Sequence, residues 1–350
     1  MLTSASYAAT THTWAGNGPD NLWSRPGNWA NASVPPANTS VILIFPPYKP
    51  KKSSVNNIAG LTVLGMEIRD YGMQFAGTGA GSPLKLNGIV SIDPGSLEFK
   101  GSLGLSLVGA TTFSLKPSLG FGVGTNFNVT QVTFGSAISG NASLTVVGDA
   151  PYCVAAFTAQ GNNSYGGVTK FEDNLRVFLN NWGYAPGPTP LSLVIVGKIS
   201  VPTSLTIKNK ADVTYERSSQ IADSATVTLL QNSRLDLYKY SDTISSFTCK
   251  GRLEFHIDSA STYGKLTVNG TASITSQAEA DWNDQLGVSR NLNYQPVANT
   301  TFTLINNDST DAVSGTFYGW PQAQQITLGG VAFKLSYNGG TGNDITLKNP

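Results

Sequence analysis

The sequence has little charge, few cysteines and no long apolar run. Its 22 Lys and Arg residues nearly balance its 21 Asp and Glu residues, and the net charge of +1 gives no overall field to attract nucleic acid or an anionic membrane. Charged residues make up only 12% of the chain, against a usual ~25%. The polar surface must therefore be built largely from Ser, Thr, Asn and Gly, as in extracellular β-rich proteins.

The two cysteines, Cys153 and Cys249, are too few for a disulfide framework. They are separated by about four of the strand coils predicted below, farther than the ~7 Å between Cα atoms that a disulfide allows. We therefore expect two free, buried thiols. No apolar segment approaches the ~20 residues of a membrane helix, so no membrane insertion is expected. The first fourteen residues lack the basic and apolar regions of a signal peptide, and none is expected there.

Short runs of alternating apolar and polar residues fill the stretch 219–270. Side chains two apart on a strand point to the same face, so each run predicts a strand with one buried side. The predicted inward residues are Val227, Leu229, Leu235, Leu237, Leu253, Phe255, Ile257, Leu266 and Val268. The predicted turns between the runs are Asn232-Ser233, Ser241-Asp242 and Asn269-Gly270. Short strands at near-regular spacing predict an all-β coil whose strands bury their faces against the turns above and below.

Three tryptophans, Trp14, Trp23 and Trp29, lie close together near the start of the chain among Gly, Asn and Pro residues. If exposed, they would form a stacking platform for sugar rings. If buried, they would form the cap that the end of a coil of strands requires, and this is the interpretation we favour. The apolar run 41–45 that follows predicts a strand buried on both faces. We expect residues 1–47 to form this cap and the first strands, and residues 48–350 to form the β-helix.

The region 149–190 interrupts the regular spacing of strands with several prolines and a glycine pair. We expect an enlarged loop at 180–190 that projects from the coil, because loops on a rigid scaffold often carry binding residues. Trp182 and Tyr184 are the aromatic residues of this loop. They are the predicted binding residues for an extracellular polysaccharide or a surface glycan.

Several segments, taken in order, resemble the bacterial autotransporter-associated β-strand repeat proteins. The segments are TWAGNGPDNLWSRPGNW, GNNSYGGVTKFEDNLRV, SQIADSATVTLLQNSRLDLYKYSDTISSFTCKG, YGKLTVNGTASI, FTLINNDSTDAVSGTFYG and FKLSYNGGTGNDITL. The resemblance implies a single right-handed parallel β-helix that is secreted or displayed at the bacterial cell surface. It also implies a structural or adhesive role, and it supplies no catalytic residues.

One charged cluster could carry chemistry. Every second residue from position 250 to position 258 is polar or charged, so these side chains lie on the same face of the predicted strand. They are Lys250, Arg252, Glu254, His256 and Asp258. They point outward if the apolar residues between them, Leu253, Phe255 and Ile257, point inward. Together with Asp236 on a nearby strand, Arg252, Glu254 and His256 are candidate acid–base residues of a polysaccharide lyase or a glycoside hydrolase. The same alternation is also the commonest way to solvate the outer face of a strand, and this is the interpretation we favour.

The segment GGTGND at 339–344 matches the opening of a calcium-binding nonapeptide, but such sites lie between successive copies and this one occurs once. No zinc pattern or Ser/His/Asp pattern is found, so no metal or other cofactor is expected. The sequence therefore favours a non-enzymatic, secreted or surface-displayed scaffold or adhesin-type protein, with no nucleic-acid partner. The alternatives are an extracellular carbohydrate-binding protein and, further, a polysaccharide lyase or glycoside hydrolase.

Overall fold

The computed structural model describes residues 9–78, 83–117, 129–186, 193–278, 284–308 and 311–350, with the backbone alone for 184–186 and 193–195. These residues form strands and turns, with two short 3-10 segments at Pro26–Asn28 and Ala30–Ala32. In the part of the chain that is described, no helix has the length and apolar character needed to cross a membrane.

The chain forms two compact units, of which the first comprises Met1–Val154 and Ser164–Gly166. Its strands are β1 (Thr10–Thr13), β2 (Ser40–Phe45), β3 (Ser53–Asn56), β4 (Thr62–Ile68), β5 (Met73–Gly77), β6 (Leu84–Ile92), β7 (Ser96–Phe99), β8 (Leu105–Leu107), β9 (Thr111–Leu115), β10 (Thr130–Phe134), β11 (Ile138–Gly140) and β12 (Leu144–Gly148). They pair in parallel in two ladders, β1-β2-β4-β6-β9-β12 and β3-β5-β7-β10. β8 pairs with β6 and with β11.

The second unit comprises Ala155–Asn163 and Gly167–Pro350, and β13 (Cys153–Phe157) lies where the chain passes into it. Its strands are β14 (Thr169–Glu172), β15 (Leu175–Leu179), β16 (Trp182–Pro186), β17 (Leu193–Gly197), β18 (Leu205–Ile207), β19 (Asp212–Tyr215), β20 (Thr226–Leu229), β21 (Arg234–Asp236), β22 (Ser241–Ile244), β23 (Ser246–Cys249), β24 (Arg252–Ile257), β25 (Lys265–Val268), β26 (Ala272–Ile274), β27 (Leu286–Arg290), β28 (Thr301–Asn307), β29 (Gln325–Leu328), β30 (Val331–Gly339) and β31 (Asp344–Lys348).

Three successive coils in the second unit each contribute one strand to each of three parallel ladders. The ladders are β14-β18-β20-β23-β26, β15-β19-β21-β24-β27 and β22-β25-β28. The three coils are β20–β22, β23–β25 and β26–β28, and the strands β14, β15, β18 and β19 before them belong to the first two ladders only. In the first ladder, Leu205 pairs with Val227, Val227 with Phe247, and Phe247 with Ala272, so a coil advances by 20 to 25 residues. The predicted parallel β-helix is confirmed.

The core of the second unit is formed by the inward-facing side chains of these strands, which are every second residue. Leu253, Phe255 and Ile257 are at most 2% exposed, and the other six residues predicted to point inward are equally buried. The alternation of β24 arises because successive side chains on a strand point to opposite faces. Cys153 and Cys249 are both buried and form no disulfide, as predicted.

The three tryptophans near the start of the chain are buried. Trp14 and Trp23 are fully buried, and Trp29 is 2% exposed. Trp29 packs edge-on against both, with ring centroids 5.3 and 6.1 Å away, and all three contact Phe45. The sugar-platform alternative is therefore wrong for these rings. Their burial is what the cap interpretation requires, and the cap of residues 1–47 remains a prediction. The run 41–45 alternates instead of being buried on both faces, because Ile42 and Ile44 are half-buried.

The last strands of the chain change direction. β25 pairs with β28 in parallel, after which β28, β31, β30 and β29 pair antiparallel in that order. The segment GGTGND, which resembles a calcium motif, runs from the end of β30 through the turn into β31. Within it, Asp344 accepts the Asn307 backbone N–H at 3.0 Å, and Asn343 donates to the Asp308 carbonyl at 3.1 Å. These contacts hold the turn against the end of β28.

Candidate functional site

The candidate catalytic residues lie on the outward face of the ladder that contains β19, β21, β24 and β27. The register places Asp212 beside Arg234 and Arg234 beside Arg252. Two residues farther along each strand, Asp236 lies beside Glu254, and Glu254 lies beside Gly287. The outward face predicted for β24 is therefore correct, and its side chains are half-buried rather than fully solvated.

Arg234 is the centre of an ion-pair network that includes three of the carboxylates on this face. One terminal nitrogen donates to both oxygens of Asp212, at 2.9 and 2.8 Å. The other contacts Asp236 at 2.6 Å and Glu254 at 2.8 Å. Arg252 binds the second oxygen of Glu254 and also donates to the Asp284 carbonyl at 2.7 Å. Asp236, Glu254 and Arg252 are thus brought together, as parts of a charge-satisfied cluster.

The two carboxylates beside Arg234 have pKa values shifted in opposite directions. Burial raises the pKa of Asp236, and the charge of Arg234 offsets only part of this rise. Burial also acts to raise the pKa of Glu254, but Arg234 and Arg252 together hold it below its usual value. Opposite shifts of two neighbouring carboxyls are typical of acid–base pairs, although structural ion-pair networks produce them as well.

His256 does not join this network. Its Nδ1 lies 2.8 Å from the Ser289 hydroxyl, and its ring stacks on Tyr238 at 4.8 Å between centroids. Burial lowers the pKa of His256, which favours the neutral ring. Asp258, two residues farther along the chain, bonds to Lys239 and Asn291 instead. The imidazole is therefore engaged by Ser289 and Tyr238 rather than by a carboxylate.

The predicted loop at 180–190 is a two-stranded antiparallel hairpin as far as it is described. β16 pairs with β17, with Trp182 opposite Gly197. The Trp182 backbone also accepts from Gly161 at 2.7 Å and donates to Ala159 at 3.0 Å, and its side chain is half-buried. The side chain of Tyr184 and residues 187–190 lie outside the described part of the chain, so the predicted role of Tyr184 remains a prediction.

Asp242 is a buried carboxylate at a position that the sequence predicts to be a turn. The pair Ser241-Asp242 begins β22, so the turn prediction is wrong there. Asp242 is 4% exposed and accepts three backbone N–H groups, from Gln220 at 3.0 Å, Ile221 at 2.9 Å and Thr243 at 2.9 Å. Burial raises the pKa of Asp242 to about 7, although these hydrogen bonds act to lower it. Asp242 is two residues before Ile244 and so shares its inward face on the strand. This spacing is the sequence signal that could have identified Asp242 as buried.

Gln220, beside Asp242, continues the buried polar contacts into the preceding coil. Its side-chain oxygen accepts from the Asn181 backbone at 2.9 Å and the Ser200 hydroxyl at 2.7 Å. The Asn181 side chain in turn donates to the Ile199 carbonyl at 3.0 Å. Because these polar side chains are buried and bonded to backbone groups, they hold successive coils in register rather than present a site to solvent.

No protein-family profile and no curated protein matches this sequence. A comparison of structures matches the crystal structure of the Haemophilus influenzae Hap adhesin, with 13% sequence identity and a TM-score of 0.34. The match covers 92% of this chain and 34% of that chain, so this chain spans about a third of the adhesin's length. A TM-score this low carries no conclusion about the fold or the function of this protein.

Proposed function

We propose that this protein is a non-enzymatic β-helical scaffold of the adhesin type, secreted from a bacterium or displayed at its surface. The observation that carries the proposal is the ion-pair network around Arg234, which uses the candidate catalytic carboxylates for structure. The low charge of the sequence and its Ser-, Thr- and Asn-rich polar surface are compatible with an extracellular location.

The geometry of Asp236 and Glu254 argues against glycoside hydrolysis at this face. A retaining enzyme needs its two carboxyls ~5–5.5 Å apart with the sugar between them, and an inverting enzyme needs ~6.5–9.5 Å to admit a water. Here one nitrogen of Arg234 contacts both carboxylates, so the guanidinium occupies the place that a substrate would need. The oxygens that would accept a proton or attack a sugar are already bonded. Asp236 bonds to Arg234 and accepts the Tyr238 backbone N–H at 2.7 Å, and Glu254 bonds to both arginines.

This proposal predicts that the protein does not cleave polysaccharides. The wild type and Glu254→Gln should both give no more product than buffer, because Glu254 is held by Arg234 and Arg252. The measurement follows new reducing ends and unsaturated products, from neutral and uronate-containing polymers, between pH 5 and pH 9. Cleavage by the wild type that Glu254→Gln abolishes would overturn the scaffold proposal in favour of an enzyme.

Carbohydrate binding is the second candidate function, and the half-buried ring of Trp182 on the hairpin supports it. A partly exposed indole can stack on the apolar face of a sugar while the hairpin backbone holds it in place. On this hypothesis Trp182→Ala should reduce retention on insoluble neutral polysaccharides at least severalfold. Tyr48→Ala is the control, because it removes a 93%-exposed aromatic ring elsewhere in the chain and should leave retention unchanged. This site would be rejected if the two variants are retained equally. It would also be rejected if neither the variants nor the wild type are retained.

A further inference from the structure

The antiparallel sheet at the end of the chain has one apolar face and one basic face. Phe302, Phe333, Leu335 and Leu347 are buried beneath it. On its other side the register places four exposed residues in one row across the strands, in the order Thr301, Lys348, Lys334 and Gln325. Lys348 and Lys334 are therefore direct cross-strand neighbours.

These two lysines have no charge compensation in the described structure. Like charges directly opposite each other on a sheet are destabilising, because their Cβ atoms are only ~4.5–5.5 Å apart. Among the described residues, the ammonium group of neither Lys334 nor Lys348 has an ion-pair or hydrogen-bond partner. Other lysines of the protein do have carboxylate partners, among them Lys100 with Glu98. The paired ammonium groups therefore concentrate positive charge at this point. The main-chain carboxylate of Pro350 lies at the groove that both lysines line and forms no ion pair with either of them.

The groove lined by both lysines has a volume of about 680 Å3. Its other polar lining residues carry hydroxyl and amide groups, among them Asn299, Gln322 and Ser336, and no acidic side chain is among the described residues that line it. The Asp344 carboxylate lies close to Gly340 at the groove, but it is 5% exposed and bonded to the Asn307 backbone. The groove volume falls within the ~300–1,000 Å3 of typical ligand sites.

We propose that this groove binds an acidic polysaccharide through the carboxylates of its uronic acid residues. The paired ammonium groups would neutralise the carboxylates, while the Asn299 amide and the Thr301 hydroxyl are suited to exchange hydrogen bonds with the sugar hydroxyls. The Gln322 amide is already engaged, because it accepts the Tyr337 backbone N–H at 2.7 Å. A nucleic acid fits less well, because the lining has no aromatic side chain on which a base could stack. This inference is independent of the proposed scaffold function, which does not depend on whether the groove is occupied.

The test measures binding to polygalacturonate, with dextran as the neutral polymer and polyglutamate as the acidic peptide. The full chain carries its affinity tag at the N terminus, because Pro350 lines the groove. The wild type should bind polygalacturonate at low salt, bind dextran at least tenfold more weakly, and lose affinity as salt rises. The double variant Lys334→Gln/Lys348→Gln should weaken polygalacturonate binding at least tenfold.

The matched control is Lys116→Gln/Lys170→Gln, which removes the same charge from two exposed lysines outside the groove. It should weaken binding less than twofold. The inference is overturned if the wild type does not bind polygalacturonate, or if the two double variants weaken binding equally. Equally tight binding of polyglutamate would overturn the assignment to a polysaccharide. Thermal unfolding of each variant shows whether a loss of binding reflects a loss of fold.

Discussion

Replacing Asp242 by alanine should lower the free energy of unfolding by about 3–5 kcal/mol, because two buried backbone N–H groups and one partly buried one would lose their acceptor. The donors belong to Gln220, Ile221 and Thr243. The first two lie in the turn of the preceding coil and the third lies in β22 itself, so the carboxylate joins two coils. Urea unfolding at pH 6 measures the loss.

The matched control is Asp223→Ala, at an exposed carboxylate three residues from Gln220 in the chain. Its effect should stay within about 0.5 kcal/mol, as is usual for surface substitutions. If Asp242→Ala lowers the free energy of unfolding no more than Asp223→Ala does, the Asp242 carboxylate does not hold the two coils together.

The same carboxylate should make stability depend on pH. The pKa of Asp242 is about 7 in the folded protein against 3.8 for an ordinary aspartate, so the folded state binds the proton more tightly. Protonated Asp242 therefore contributes to the free energy of unfolding. This contribution is fully present below about pH 4 and is lost as the pH rises from there through 7, by about 4 kcal/mol in all. Tyr215 faces Asp242, and the pKa of its hydroxyl is raised by burial and by the Asp242 charge, so it does not titrate in this range.

Asp242→Asn separates this effect from other titrations. The variant cannot ionise at this position, so the difference in unfolding free energy between it and the wild type should change between pH 5 and pH 8. Subtraction removes the contribution of His256, which is common to both proteins and whose lowered pKa has the opposite effect. A difference that stays constant over this range would show that Asp242 does not titrate there.

Replacing Arg234 by methionine should lower the free energy of unfolding at pH 7 by about 2–4 kcal/mol. The substitution leaves Asp212, Asp236 and Glu254 close together without the cation that contacts all three. Removing one partner of a buried ion pair costs about 3–5 kcal/mol, and the partial exposure of this network reduces that value. Protonation of the carboxylates near pH 3 should recover part of the loss, as should high salt.

Arg176→Met is the matched control for this prediction. Arg176 lies opposite Asp212 on the neighbouring strand, in the same row as Arg234, but its side chain is exposed. It forms no ion pair among the described residues, so its substitution should cost less than about 0.5 kcal/mol. Equal losses for Arg176→Met and Arg234→Met would show that general charge, rather than the network, stabilises this face.

The sequence alone predicted the strands and their inward and outward faces in the middle of the second unit. Side-chain direction on a strand alternates with a period of two, so Leu253, Phe255 and Ile257 identify the inner face without any knowledge of their neighbours. The same local rule placed Arg252, Glu254 and His256 outside. Burial of the three tryptophans was predicted from the need to close the end of a coil.

The contacts of the candidate site could not be predicted, because they depend on which strands become neighbours. Asp212 and Arg234 meet only because β19 and β21 pair in a particular register. That register is set by pairing between residues far apart in sequence, and a shift by one residue would turn each side chain to the other face. The opposed pair of Lys334 and Lys348 likewise exists only in the folded sheet.

Local sequence and tertiary structure disagree at Asp242. Ser-Asp favours a turn because short polar side chains bond readily to nearby backbone, and this local preference led to the wrong prediction. In the folded protein the preceding coil supplies the Gln220 and Ile221 N–H groups, so the carboxylate is satisfied inside a strand. The sequence alone determined the coil and its faces, because these follow from the alternation of side chains along each strand. Only the tertiary structure decided which charges and N–H groups face each other, because stacking brings distant residues together.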